Sequence, residues 1–204
     1  MKLYFFPGSC ALAPHIVLEW LGAGFEAVRI EKGDPKYLEI NPLGVVPALE
    51  HEGRLYTQAD AILHWLADSH PEAQLGGGGT PDSNFELNEW MAFLTGDLHP
   101  AFFPFFNTQR HTTSEAPEQL EAVKAAAKAR IAHYYEHLDR HLSGRDFLVG
   151  GSRSVADAYA IPMLRWGRLL DRPFSDYAGL SAYLTRWEKD AGVRRAMQTQ
   201  GLLK

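Results

Sequence analysis

The chain changes its hydrophobic period once, at about residue 82, and that change constrains the fold more than any other feature. Before it, short apolar runs are punctuated by glycine and proline; after it, every long segment repeats its apolar residues at helical spacing. Leu3 to Phe6, Phe25 to Ile30, Ala48 to His51 and Arg54 to Tyr56 read as strands, and Ala11 to Leu21 as a helix. A short helical piece follows Pro35. Glu52-Gly53 can supply the positive φ of a tight hairpin turn, and Thr57 reads as the cap of a helix running to about Asp68. The order is β-α-β, then β-β-α.

Pro71 to Pro81, with Gly76-Gly77-Gly78-Gly79 inside it, has the composition of a linker and lacks the preceding strand and the lysine of a phosphate-binding loop. Residues 1–75 are therefore expected as one unit, 76–82 as the linker and 83–204 as an all-helical unit. In the second unit Leu87, Trp90, Met91, Leu94 and Leu98 share one helix face, and Leu120, Val123, Ala127, Ile131, Tyr134, Leu138 and Leu142 another. Pro100 and Pro104 should kink or break the first of these helices, and the four phenylalanines around them suit either core or the wall of an apolar pocket. Ser154 and Asp157 have the spacing of a capping box, so Asp157 is structural before it is catalytic. Tyr183, Leu184 and Trp187 belong to a later helix, and Gly192 to Met197 to a short last one. The fold class is α/β followed by all-α.

Cys10, the only cysteine, lies where the first strand turns into the first helix, directly after Pro7-Gly8-Ser9. With Ser9 as helix cap, free N–H groups and the positive end of the dipole would favour a thiolate there, and a thiol so placed should ionise below its ordinary range. The alternative is a small buried hydrophobe.

The net charge of −5 offers no electrostatic footprint for nucleic acid, and Arg194-Arg195 is too short a basic run to supply one. No apolar run approaches 18 residues and the amino terminus enters a strand directly, so neither a membrane span nor a signal peptide is expected. One cysteine permits no internal disulfide, which suits the cytoplasm. His133, His137 and His141 recur at i, i+4 and i+8, but the third is too far along the axis to share one ion with the first. They read as a solvated face with adventitious metal affinity, and no metal site is expected.

Taken together, Tyr4 to Pro14, Asn41-Pro42-Leu43-Gly44-Val45-Val46-Pro47-Ala48-Leu49, Thr57 to Ile62 leading to Leu66-Ala67-Asp68, and Ser154-Val155-Ala156-Asp157 resemble the cytosolic glutathione transferases, most closely the bacterial beta class. The resemblance implies a thioredoxin-like amino-terminal half (βαβ-ββα) and a helical bundle after it. It implies glutathione as co-substrate with no other cofactor, a small apolar electrophile and a symmetric homodimer. By the same resemblance Cys10 takes the thiol-site position, with Ser9 and Tyr4 as alternatives that hold the thiolate in other classes. Val46 precedes a cis Pro47 and pairs with the cysteinyl part of glutathione, Gln58 and Ala59 meet its γ-glutamyl end, and His99 and Asp97 match positions near the thiol, Asp97 reaching across the dimer.

Two departures bear on affinity. Gln58-Ala59 stands where the family usually carries an acidic residue and a serine, and Leu43 and Val45 stand where polar residues are common. A charged hydrogen bond contributes about 1.5–3 kcal/mol and a neutral one about half that, so glutathione should bind more weakly. Asp60, one step further round the helix, partly restores the charge. Cys10 without a second cysteine leaves mixed-disulfide exchange with glutathione as an alternative chemistry. A carrier of apolar ligands without catalysis is the other alternative.

Overall fold

A computed structural model describes residues 1–203. Four strands, β1 (Lys2–Phe5), β2 (Glu26–Arg29), β3 (Ala48–His51) and β4 (Arg54–Thr57), form one sheet in the order β2-β1-β3-β4. β1 runs parallel to β2, joined through α1 (Leu12–Leu21), while β3 is antiparallel to both β1 and β4. Glu52 and Gly53 both take positive φ and close the β3–β4 hairpin as expected. α2 (Pro35–Ile40) packs its buried Tyr37 against Tyr4 and the far face of the sheet, and α3 (Ala59–Ser69) and α1 cover the other.

The helical half contains α4 (Pro81–Ala92), α5 (His99–Ala101), α6 (Phe103–Phe106), α7 (Pro117–Leu142), α8 (Val155–Trp166), α9 (Ala178–Trp187) and α10 (Ala191–Thr199). One apolar core runs from Leu3, Leu12, Ile16 and Leu49 into Leu94, Ile131, Tyr159, Ile161 and Met197. Leu75 is buried in it, and its carbonyl accepts the N–H of Val155, which ties the glycine-rich stretch to the start of α8. Asp157, wholly buried, accepts from the N–H and hydroxyl of Ser154 (2.7 and 2.9 Å), from the Leu148 N–H (2.8 Å) and from the Tyr183 hydroxyl.

Three local expectations need correction. Thr57 ends β4 and does not cap α3; Gln58 is the residue before the helix, twisted to φ 70 with no side-chain capping bond. Ser9 is not the cap of α1, because its hydroxyl donates back to the Phe6 carbonyl (2.7 Å) and accepts from Ala11 N–H, delaying the helix to Leu12. The histidine row on α7 is a solvated face only in part: His133 and His137 are exposed, but His141 is half-buried. The His141 Nε2 bonds the Leu148 carbonyl (2.7 Å), and the His137 and His141 rings lie against Trp90.

The proline expectation resolves into a specific distortion. Between α4 and α5 the backbone widens into a π-helical stretch, Phe93–Leu98, just before Pro100. Pro100 has no N–H and its ring crowds the carbonyl four residues back, so a wider turn there relieves the clash. The stretch re-aims the residues that follow it, His99 first among them.

Candidate active site

Cys10 sits in the turn ahead of α1, 8% exposed, and its thiol donates to the Val46 carbonyl at 3.6 Å. Burial pushes the thiol up to about 12, although its own backbone N–H pulls the other way. The lowered ionisation read from position alone is therefore overturned: desolvation of a buried sulfur outweighs the helix terminus. The resting residue is a neutral thiol.

The Val46–Pro47 peptide is cis. Its loop is pinned from below by the Tyr37 hydroxyl and the Asn41 side-chain amide, which donate to the Val45 carbonyl at 2.6 and 2.8 Å. Both side chains are buried. Neither stood out as a site residue in the sequence, since an Asn before Pro reads simply as a turn.

At the start of α3, Gln58 is exposed and Ala59 buried. The N–H groups of Ala59, Asp60 and Ala61 have no acceptor among the described residues, leaving a carboxylate-sized cradle of donors. The Asp60 Oδ1 is itself buried without a hydrogen-bond partner, 3.6 Å from the His64 Nε2.

His99 and Tyr159 share a hydrogen bond of 2.6 Å through Nδ1 and the hydroxyl. Burial lowers His99 to about 4, so it is neutral, and burial raises the Tyr159 phenol, with nearby Cys10 and Asp60 raising it further. The Tyr159 hydroxyl holds the histidine ring from α8. Its position on α8, two residues past Asp157, offered no signal in the sequence beyond helical spacing.

The aromatic run divides its labour. Phe102 is fully buried, whereas Phe103 and Phe106 are each 42% exposed, the first ring 5.0 Å from His99 and the second 5.3 Å from Trp166. One segment thus contributes both to the core and to the exposed surface.

Tyr4 is not brought to this group. Its hydroxyl donates to Glu50 Oε2 (2.9 Å), it packs with Tyr37 on the opposite face of the sheet, and burial together with Glu50 raises it to about 12. The strand alternation that puts Leu3 under α1 puts Tyr4 beneath α2. Asp97 is exposed in the π-helical stretch and makes no hydrogen bond or ion pair among the described residues. Ser9 is half-buried with its hydroxyl committed within the turn.

Both halves of the chain match known protein families. Residues 3–74 match the family described as glutathione S-transferase, N-terminal domain, and residues 94–190 match glutathione S-transferase, C-terminal domain. Glutathione S-transferase GST-4.5 of Xanthomonas campestris is 40% identical over 99% of this chain and 100% of its own. Among solved structures, the bacterial beta class glutathione S-transferase of Sphingomonas chungbukensis superposes with a TM-score of 0.86 at 35% identity, covering all of both chains. A sphingomonad glutathione S-transferase complexed with glutathione does so at 0.87 and 35%, again over all of both chains. With both halves matched in order and a relative this similar end to end, the chain belongs to the glutathione S-transferase family.

Proposed function

We propose that this protein binds glutathione along the Val46–Pro47 loop and the start of α3, and transfers its sulfur to a small apolar electrophile held against Phe103, Phe106 and Trp166. The observation that carries the reading is the convergence on Cys10. Its thiol touches the Val46 carbonyl, and the phenol of the His99–Tyr159 pair lies within electrostatic reach of the Cys10 sulfur and the Asp60 carboxylate. The Val46 carbonyl can accept the cysteinyl N–H of a bound peptide in place of the Cys10 S–H, whose single proton then turns to the peptide's sulfur.

The γ-glutamyl carboxylate meets the open N–H groups of Ala59 to Ala61, and its ammonium takes the Gln58 side-chain carbonyl and the unpartnered Asp60 Oδ1. The sulfur is held by S–H and N–H donors at Cys10 and by the Nε2–H of His99, whose tautomer Tyr159 sets by donating to Nδ1. Donors aimed at a thiolate in a dry site lower the free energy of the ionised sulfur, and proximity to the electrophile supplies the rest. Cys10 thus acts as a donor and not as the attacking sulfur; its raised pKa disfavours mixed-disulfide exchange, which needs its thiolate.

The reading further takes residues 1–75 as the glutathione unit, 76–82 as the linker and 83–204 as the electrophile unit, in a cytoplasmic homodimer where Asp97 faces the partner. No helix among the described residues is long and apolar enough to cross a membrane. The test is retention on immobilised glutathione followed by a chromogenic conjugation assay. Retention with turnover is expected; neither would leave the protein a carrier of apolar ligands.

A further inference from the structure

The turn that presents Cys10 is held from the other end of the chain. Gly8, two residues before Cys10, adopts φ 75. Its N–H donates to the Gln200 side-chain oxygen at 3.3 Å, and its carbonyl accepts the Trp166 indole N–H at 2.7 Å. Both polar backbone atoms of one glycine are thereby taken by side chains of the helical half.

The orientation of Gln200 follows from chemistry. A backbone N–H can only donate, so the amide oxygen faces Gly8 and the amide NH2 faces the Nδ1 of His15, 3.2 Å away. That nitrogen must accept. The proton of His15 then sits on Nε2, which has no hydrogen-bond partner and belongs to a ring standing edge-on to Phe25 at 5.2 Å and 90°. His15 and Gln200 are both buried, at 0% and 3% exposure. His15 lies on α1, five residues after Cys10, so Gln200 bridges the turn on one side of the cysteine to the helix on the other.

We infer that Gln200 is a positioning residue for Cys10: with Trp166 it clamps Gly8, keeping the turn closed and the thiol seated on the Val46 carbonyl. Its importance to catalysis rests on the assignment of Cys10 to the thiol site, but the clamp itself is measurable without glutathione. Cys10 is the only cysteine, so reaction of the full-length protein with dithiobis(nitrobenzoate) reports on this position alone.

Gln200→Leu keeps bulk and removes both hydrogen bonds, and it is expected to raise the rate at which Cys10 reacts about tenfold, the effect of one lost buried hydrogen bond. The increase should persist unchanged through low urea, because the opening is local; a global loss of stability would make the rate climb steeply with urea. Gln200→Glu retains an acceptor for the Gly8 N–H and is expected to react near the wild-type rate despite its buried charge. Trp166→Phe, which removes only the donor to the Gly8 carbonyl, is expected to speed the reaction similarly and serves if Gln200→Leu does not fold. Wild-type rates in both Gln200→Leu and Trp166→Phe would overturn the inference, as would Gln200→Glu reacting faster than Gln200→Leu. A wild-type protein without conjugating activity but with these rates would remove the thiol-site assignment and leave the clamp standing.

Discussion

The thiol of Cys10 donates to the carbonyl of Val46, the residue in front of the cis proline. The side chain expected to work as a thiolate is thus occupied as a neutral donor to the loop that would carry the peptide. Burial holds its ionisation at about 12.

Cys10→Ser follows directly. A serine hydroxyl can donate to Val46 in the free protein and to a bound sulfur in the complex, so conjugation should fall less than tenfold, the scale of one exchanged hydrogen bond, while any glutathione-dependent disulfide reduction vanishes. Cys10→Ala, which cannot donate, should lose more. Equal loss in both variants, read as kcat with a chromogenic acceptor, would return Cys10 to the role of nucleophile.

Tyr159→Phe leaves the Nδ1 of His99 without its 2.6 Å partner in a largely buried site. Conjugation is expected to drop about tenfold in kcat with little change in the KM for glutathione, in line with one lost hydrogen bond that orients a donor. A rise in KM alone would mean that the pair serves binding and not the sulfur.

Gln58→Glu restores a charge where the chain carries a neutral amide at the mouth of α3. A charge-assisted bond to the γ-glutamyl ammonium exceeds a neutral one by about 1 kcal/mol, so the dissociation constant for glutathione should tighten about fivefold to tenfold. Gln58→Gly provides the complement: relief of the φ of 70 should add roughly 1 kcal/mol to stability and weaken glutathione binding. Calorimetric titration and urea denaturation measure the two effects.

Burial holds both His15 and His99 at about 4, against 6.5 when exposed. Between those values the unfolded chain binds protons that the native chain refuses, so their stability contribution is complete above about pH 6.5 and is lost as the pH falls toward 4. Each histidine accounts for a loss on the order of 3 kcal/mol over that window. Urea midpoints that stay flat from pH 7 to 4.5 would rule this out.

Asp157→Ala strands the N–H and hydroxyl of Ser154, the N–H of Leu148 and the hydroxyl of Tyr183 around one buried hole. A loss of about 3–5 kcal/mol in unfolding free energy is expected, comparable to breaking a buried ion pair. A cost under 1 kcal/mol, by denaturant titration, would show that water replaces the carboxylate.

The order of strands and helices, the single change of period, the Glu52-Gly53 hairpin and the Ser154–Asp157 cap were all legible along the chain, because each depends on residues within a turn or two of one another. The family resemblance was legible for the same reason, as its motifs are short and keep their order. Thr57 and Ser9 were misjudged as caps because several side chains near a helix start offer an oxygen, and only the backbone path decides which faces an open N–H.

Four matters lay beyond local pattern. Tyr4 and Cys10 are both near the first turn, yet the alternation of β1 sends Tyr4 to the opposite face, to Glu50. His99 meets Tyr159 across 60 positions, and Gly8 meets Gln200 across 192. The state of the Cys10 thiol is governed by how much water the packing of α8 and α10 against α1 leaves beside it. Sequence order and residue type fix what can bond or ionise; burial and long-range contact decide what does, since desolvation and hydrogen-bond partners exist only once the distant segments have come together.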